Sequence, residues 1–339
     1  MRSRGSGCHR RTMAVMGALG LGLSQSCSIS APSDRARAQF DSIIQNVKGS
    51  SGHIYDAKDD GGNTCTSASI VPNPKGGYVA VYHTYIGNSY FAVSLGTSQD
   101  LLHWRFVRQL GQHASQPCIF NSNGHFIVAW EQDPNNHIQF RWFNTIDDLL
   151  NGVVAKTYDA PDDASPCAEG TPNIYSVRGT TPDNVTVSVG CHYYRECKVD
   201  RQAQGTMKNF RSWSSSDNSK MNNAIEYWGV KGNIGQRSST AFKGHQFALI
   251  EGMKEPGNWA TWGLYTYDYE TGNADKLTIA TDKGTTAFAN PRVEVMNGPN
   301  GSPAVVWTMF VPGEGAAEGE GGEAICYTYI AKPGAIANK

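Results

Sequence analysis

Three glutamates stand directly behind an apolar or small residue: Glu131 after Trp130, Glu169 after Ala168 and Glu251 after Ile250. A carboxyl group beside such neighbours is partly desolvated. That raises its pKa, as a general acid working near neutrality requires. Elsewhere in the chain are polar side chains able to hold a hydroxyl-rich or charged ligand: His83, Gln116, His192, Gln236, Arg237, Asn290 and Arg292. Taken singly, each has a plainer reading as a solvated strand end, a satisfied histidine or half of an ion pair. Chemistry requires a fold that gathers them. Other chemistries lack their residues: there is no GxSxG elbow for a nucleophilic serine, and no glycine-rich turn that leads into a helix. No His/Asp/Glu cluster has metal-ligand spacing, so neither a metal nor a cofactor is expected.

Long helical patterns are nearly absent. Short alternating runs rich in Val, Ile, Tyr, Phe and Trp, bounded by Gly, Asn, Pro and Ser, read as strands. Five segments (64–85, 114–133, 169–194, 235–253 and 290–310) share one layout: polar lead-in, first strand, glycine-bearing turn, second strand with a polar end. The lead-ins, near 64, 115, 169, 236 and 290, are 51, 54, 67 and 54 residues apart. A period near 50 with several strands per repeat predicts an all-β chain, a five-bladed β-propeller with one four-stranded blade per repeat. Third strands follow at 90–98, 137–143, 261–269 and 324–331, and the segment around His53-Ile54-Tyr55 is expected to complete the last blade and protect its edge. A β-sandwich would not repeat one layout five times. No internal domain boundary is visible, and Gly313 to Gly322 reads as a flexible loop within the last blade.

In a propeller the first strand of each blade lines the central channel and the second runs antiparallel beside it. First-strand starts and second-strand ends therefore open on one face. The starts supply Thr64, Thr66, Ser115, Gln116, Glu169, Gln236, Arg237, Asn290 and Arg292; the ends supply His83, Glu131, His192, Glu251 and Thr308. Such a mouth is equipped for glycoside hydrolysis, in which one carboxylic acid protonates the leaving oxygen and a second acts as base or nucleophile. Trp130, Tyr85 and Trp259 are candidate stacking platforms for sugar rings.

The stretch Glu169-Gly170-Thr171-Pro172-Asn173-Ile174-Tyr175 resembles the third-blade motif of five-bladed propeller glycosidases such as glycoside hydrolase family 43. There a Glu-Gly-Pro run before a strand with Tyr supplies the general acid. Ser98-x-Asp100-Leu101-x-x-Trp104 resembles a turn those enzymes carry in their blades, with Asp100 capping the turn and Trp104 packed between blades. Thr145-Ile146-Asp147-Asp148-Leu149 resembles a degraded copy. Over roughly 52–332 the resemblance implies a propeller hydrolase acting on an arabinan- or xylan-like polysaccharide, with Glu169 as general acid. Thr171 is an insertion in the motif. Those enzymes also place an Asp base at the start of blade one and a second Asp in blade two, where this chain has Cys65 and Gln116. The partner carboxylate is therefore expected at Glu131 or Glu251, with Asp60 as a more distant candidate. His83, Gln116, His192, Gln236, Arg237, Asn290 and Arg292 are expected to hold the sugar.

Two other readings compete. A non-catalytic carbohydrate-binding propeller would repeat its pocket in every blade, whereas the second-strand ends here differ. A polysaccharide lyase needs cations against a uronate carboxylate, a role open to Arg237 and Arg292.

Arg2, Arg4, Arg10 and Arg11 precede an apolar run from Met13 to Leu23, too short to cross a bilayer and followed by small residues. This is the pattern of a secretory signal, with cleavage near 26–28 or after Ala38. Residues 1–38 are expected to be signal and disordered segment, and 39–339 a single propeller domain of a secreted monomer. Without 1–38 the chain carries 23 basic and 29 acidic residues, a net charge of −6, with no basic stripe. Polysaccharide or oligosaccharide is thus the expected partner, and nucleic acid and membrane are not. Cys65, Cys118, Cys167, Cys191, Cys197 and Cys326 remain, an even number that favours disulfides in an exported chain, with Cys191–Cys197 as one candidate pair.

Overall fold

The computed structural model describes residues 31–330, apart from the side chains of Gln236 and Arg237. The stretch 1–30, which holds the expected secretion signal, lies outside the described residues. Helix α1 (Asp34–Ile44) and a short strand β1 (Gly52–Ile54) precede the first hairpin. Blade one is β2 (Thr66–Pro72), β3 (Tyr78–Gly87), β4 (Tyr90–Ser98) and β5 (Arg105–Gln112). Blade two is β6 (Ala114–Ser122), β7 (His125–Gln132), β8 (His137–Phe143) and, after helix α2 (Ile146–Asn151), β9 (Lys156–Asp159). Blade three is β10 (Glu169–Thr181), β11 (Asn184–Arg195), β12 (Val199–Lys208) and β13 (Ser212–Asp217). Helix α3 (Ser219–Glu226) leads into blade four: β14 (Ile234–Phe242), β15 (His245–Met253), β16 (Trp262–Asp268) and β17 (Ala274–Lys276). Blade five is β18 (Ala289–Asn297), β19 (Pro303–Val311) and β20 (Gly322–Tyr329), completed by β1, which sets His53 opposite Cys326 and Ile54 opposite Ile325. The protein is a five-bladed propeller, closed through the segment the sequence nominates. The long third spacing comes from the 13- and 12-residue strands β10 and β11 and from the inserted α3.

Because strand residues alternate sides, each blade presents an apolar face to both neighbours, and the core forms between blades. Val81 and Leu95 of blade one meet Val128, Trp130 and Phe143 of blade two; Phe140 and Trp142 of blade two meet Val187 and Met207 of blade three. Phe247 and Leu249 of blade four meet Val305 and Trp307 of blade five, and Val306 and Ile325 close the ring against Ile70 and Tyr82. Each wholly buried side chain of this size contributes about 1.5–3 kcal/mol. Trp130, a stacking candidate in the sequence, belongs to this core.

Four details differ from the sequence reading. The fold begins before residue 39: α1 buries Ala36, Phe40 and Ile44, with Phe40 against Phe242 and Phe247 at 5.5 and 5.4 Å. Of the two cleavage regions, only that near 26–28 leaves α1 whole. The observed disulfide is Cys167–Cys197, while Cys191 lies in the core between blades two and three. Cys191 is on β11, and four extended residues, about 13 Å, carry the chain from it to Arg195 before the turn holding Cys197. The 313–322 loop is tied down: Glu320 accepts from the hydroxyls of Thr281 and Thr285 and from the Lys283 N–H. Finally, the 145–149 stretch is helical, with Thr145 capping α2 through the Asp148 N–H at 3.0 Å. The turn at 98–104 forms as expected: Ser98 Oγ accepts from Leu101 N, Asp100 Oδ1 from Leu102 N and His103 N, and Trp104 packs between blades five and one.

Candidate active site

A bulge recurs at the same place in all five inner strands. In blades one, two, three and five, three inner-strand steps face two on the neighbour, as between Ser115↔Glu131 and Cys118↔Ala129. Blade four has one extra residue, Arg237, between Gln236↔Ile250 and Ser238↔Leu249. At these bulges Ser67, Gln116, Thr171 and Asn290 adopt left-handed φ of 55°, 53°, 50° and 48°. Left-handed backbone is uncommon outside glycine, and a bulge re-aims its side chain. Three of the four bulge residues line one polar cavity at the channel mouth, of about 280 Å³.

The cavity takes Ser115, Gln116, Glu131 and Asn136 from blade two, Thr171, His192 and Asp200 from blade three, Asn233, Glu251, Trp259 and Trp262 from blade four, and Asn290 from blade five. Blade one contributes no lining residue among those described. Glu131 Oε2 accepts from Thr171 N at 3.2 Å and Thr171 Oγ1 at 3.3 Å; a Glu251 oxygen accepts from Asn290 N. In both cases the carboxylate of one blade is oriented by the bulge of the next. Gly170 and Gly235 make room: a Cβ at Gly170 would run into Glu131 Oε2, and one at Gly235 into His192 Nε2, with Glu251 Oε1 at 3.0 Å. Trp259 is 46% exposed at the rim, 6.1 Å from Trp262. The indole N–H of Trp262 is buried and has no acceptor among the described residues.

Of the residues nominated from sequence, Glu131, Glu251, Gln116, His192 and Asn290 line the cavity; Glu169, His83 and Arg292 do not. Glu169 is 1% exposed and faces the outer part of blade three, accepting from Trp213 Nε1 at 2.9 Å, Ser215 Oγ at 2.7 Å, Asp163 N at 2.7 Å and Ala164 N. The Thr171 bulge gives Gly170 and Thr171 the cavity positions and leaves Glu169 a structural anchor for the 163–164 loop. Its charge, with burial as the larger cause, pushes the Asp162 carboxyl up to about 6. His83 is buried behind Gln116, accepting its N–H at 3.1 Å through Nδ1. Arg292 lies within the channel, donating to the carbonyls of Pro117 at 2.7 Å and Pro172 at 3.4 Å, which braces the blade-two and blade-three bulges. This withdraws Arg292 from the cation pair of the lyase reading. Backbone of Gln236 and Arg237 is in β14, but their side chains lie outside the described residues. Asp60 is exposed, accepting from Phe106 N at 2.8 Å, and Tyr85 is outside the cavity.

Asp200, Asn136, Asn233 and Trp262 were not singled out in the sequence. Asp200, whose Oδ2 accepts from Asn233 Nδ2 at 2.7 Å, opens β12, a strand too polar for its alternation to stand out. The third-strand position in blade three, vacant in the repeat pattern, was its available signal.

No family model and no curated protein matches this sequence. Solved structures that share the fold include family-43 and related propeller glycoside hydrolases. A thermostable family-43 glycoside hydrolase superimposes with a TM-score of 0.50 at 12% identity, over 80% of this chain and 91% of that one. An alpha-L-arabinofuranosidase from Lactobacillus brevis gives 0.51 at 8% identity, over 77% and 90%. A xylan beta-1,4-xylosidase from Bacillus halodurans C-125 gives 0.50 at 11%, over 79% of this chain and 53% of its own, so this chain spans about half its length. At these identities the likeness establishes the propeller fold.

Proposed function

We propose that this chain is a secreted glycoside hydrolase, cleaving glycosidic bonds of an arabinan- or xylan-like polysaccharide with Glu131 and Glu251 as its carboxylate pair. The supporting observation is that two glutamates from blades two and four, far apart in sequence, line one cavity, each held by a donor from the next bulge. One carboxylic acid delivers a proton to the leaving oxygen while the other acts at the anomeric carbon or on the attacking water. Gln116 and Asn290 supply hydrogen bonds for sugar hydroxyls, and Trp259 a face for ring stacking. The fold shared with an arabinofuranosidase and a xylosidase favours pentose polymers, and the Cys167–Cys197 bridge suits an oxidising compartment. In a screen of aryl arabinofuranosides and xylosides, arabinan and xylan, Glu131→Gln and Glu251→Gln should each lower kcat about 10²–10⁴-fold with little change in thermal unfolding. Wild-type turnover in both variants would rule out the pair.

A second reading, a carbohydrate-binding propeller without catalysis, is favoured by one observation: the five bulge positions hold Ser67, Gln116, Thr171, Arg237 and Asn290, none of them acidic. Saturable binding of pentose oligosaccharides with no product from any substrate would select it.

A further inference from the structure

We propose that the flank of blade four is a second binding surface for a polysaccharide chain, running outward from the channel-mouth cavity. The inference rests on the carbohydrate reading of that cavity and concerns residues outside it. Trp262 walls both the central cavity and a neighbouring depression of about 350 Å³, whose far side is Trp228. Trp228 in turn walls a third depression, of about 530 Å³, edged by Tyr227. Three adjoining hollows thus share aromatic walls, a longer track than one glycosidic bond needs.

Both aromatic rings reach solvent, and Trp228 is anchored. Tyr227 is 86% exposed and Trp228 38%, high for rings of this size. Trp228 Nε1 donates to the Ala274 carbonyl at 2.8 Å, and the Tyr227 ring meets it edge-on at 6.1 Å. A pre-oriented ring loses little rotamer freedom when a sugar face settles on it. Arg37 and Asp275, both at the outer hollow, are already paired at 3.1 Å, and the amides of Asn223 and Asn273 line it as well. The amides and aromatic faces offer a hydroxyl-rich chain hydrogen bonds and stacking, and Lys220 in the outer hollow with Lys254 and Lys276 in the middle one add further donors. Both rings follow α3, the insertion behind the long third repeat spacing. A polymer held here would raise its effective concentration at the cavity while a short substrate would gain nothing.

The test compares wild type with Tyr227→Ala and Tyr227→Ala/Trp228→Ala, using electrophoresis through gels with soluble xylan or arabinan beside turnover of short aryl pentosides. Retardation of the wild type should weaken at least fivefold in the double variant and partly in Tyr227→Ala, with aryl-glycoside kinetics unchanged. Thermal unfolding checks integrity, and the single variant, at a nearly fully exposed site, decides if the double variant fails to fold. Equal retardation of wild type and variants, or none of the wild type, overturns the proposal. So does an aromatic pair whose loss abolishes self-association in sedimentation while polymer retardation stays the same, which would make the occupant a second copy. If retardation is lost as expected but no glycoside is hydrolysed by any form, the second surface stands and the hydrolase reading fails.

Discussion

At the scale of single residues, surroundings separate three glutamates that look alike in sequence. Glu169 collects four donors in an anchor away from the cavity, whereas Glu131 and the equally buried Glu251 form part of the cavity wall. Glu169→Gln leaves donors facing an amide and should cost about 1–3 kcal/mol, visible as a lower unfolding midpoint, while turnover per folded molecule persists. Complete loss of turnover at unchanged stability would instead restore Glu169 to the chemistry. Gly170→Ala should act the opposite way: its Cβ displaces the Glu131 carboxyl, and a shift near 1 Å can cost about 10²-fold in kcat. Wild-type kcat in that variant would show that the position of Glu131 is not needed. The motif around Glu169 was legible in the sequence, but its direction was not. The left-handed turn at Thr171 decides which side chain faces the channel, and a threonine gives no local sign of that conformation.

At the scale of elements, alternation of apolar residues was enough to place the hairpins, and His53-Ile54 was readable as the closing strand because the last blade needed a fourth. The helices were not readable: α1 begins inside an Arg-rich stretch that resembles an export segment, and α3 is short and polar. Asp41 shows how α1 is held. It lies buried against blade four, and desolvation, joined by the charge of Asp275 and only partly offset by the nearby Thr266 hydroxyl and Arg37, pushes its carboxyl up from 3.8 to about 6. The folded state therefore binds the proton more tightly than the unfolded chain, so stability falls as pH rises from about 4 to 6 and stays lower above. Asp41→Asn should raise stability at pH 7 by on the order of 1–3 kcal/mol, a gain that shrinks to nothing as pH falls through that window. Denaturant unfolding of both forms at pH 4, 5.5 and 7 measures it, and an equal difference at all three values would contradict the assignment.

At the scale of the whole molecule, ring closure makes a site from residues that sequence order keeps apart. Four blades supply the cavity, and blade one, whose strand start has Cys65 where the glycosidases it resembles carry an Asp base, supplies none of the described lining. Arg292 of blade five braces the bulges of blades two and three, so the mouth is set by contacts across the channel as well as within each blade. Such cross-channel contacts have no periodic trace in sequence, which is why Arg292 and His83 read as ligands for sugar rather than supports. The most direct test is a crystal structure of Glu251→Gln soaked with an arabino- or xylo-oligosaccharide. The account predicts a glycosidic oxygen within hydrogen-bond reach of residue 251 or Glu131, with a sugar ring on Trp259. A saccharide bound elsewhere, with the channel mouth left open to solvent, would contradict it.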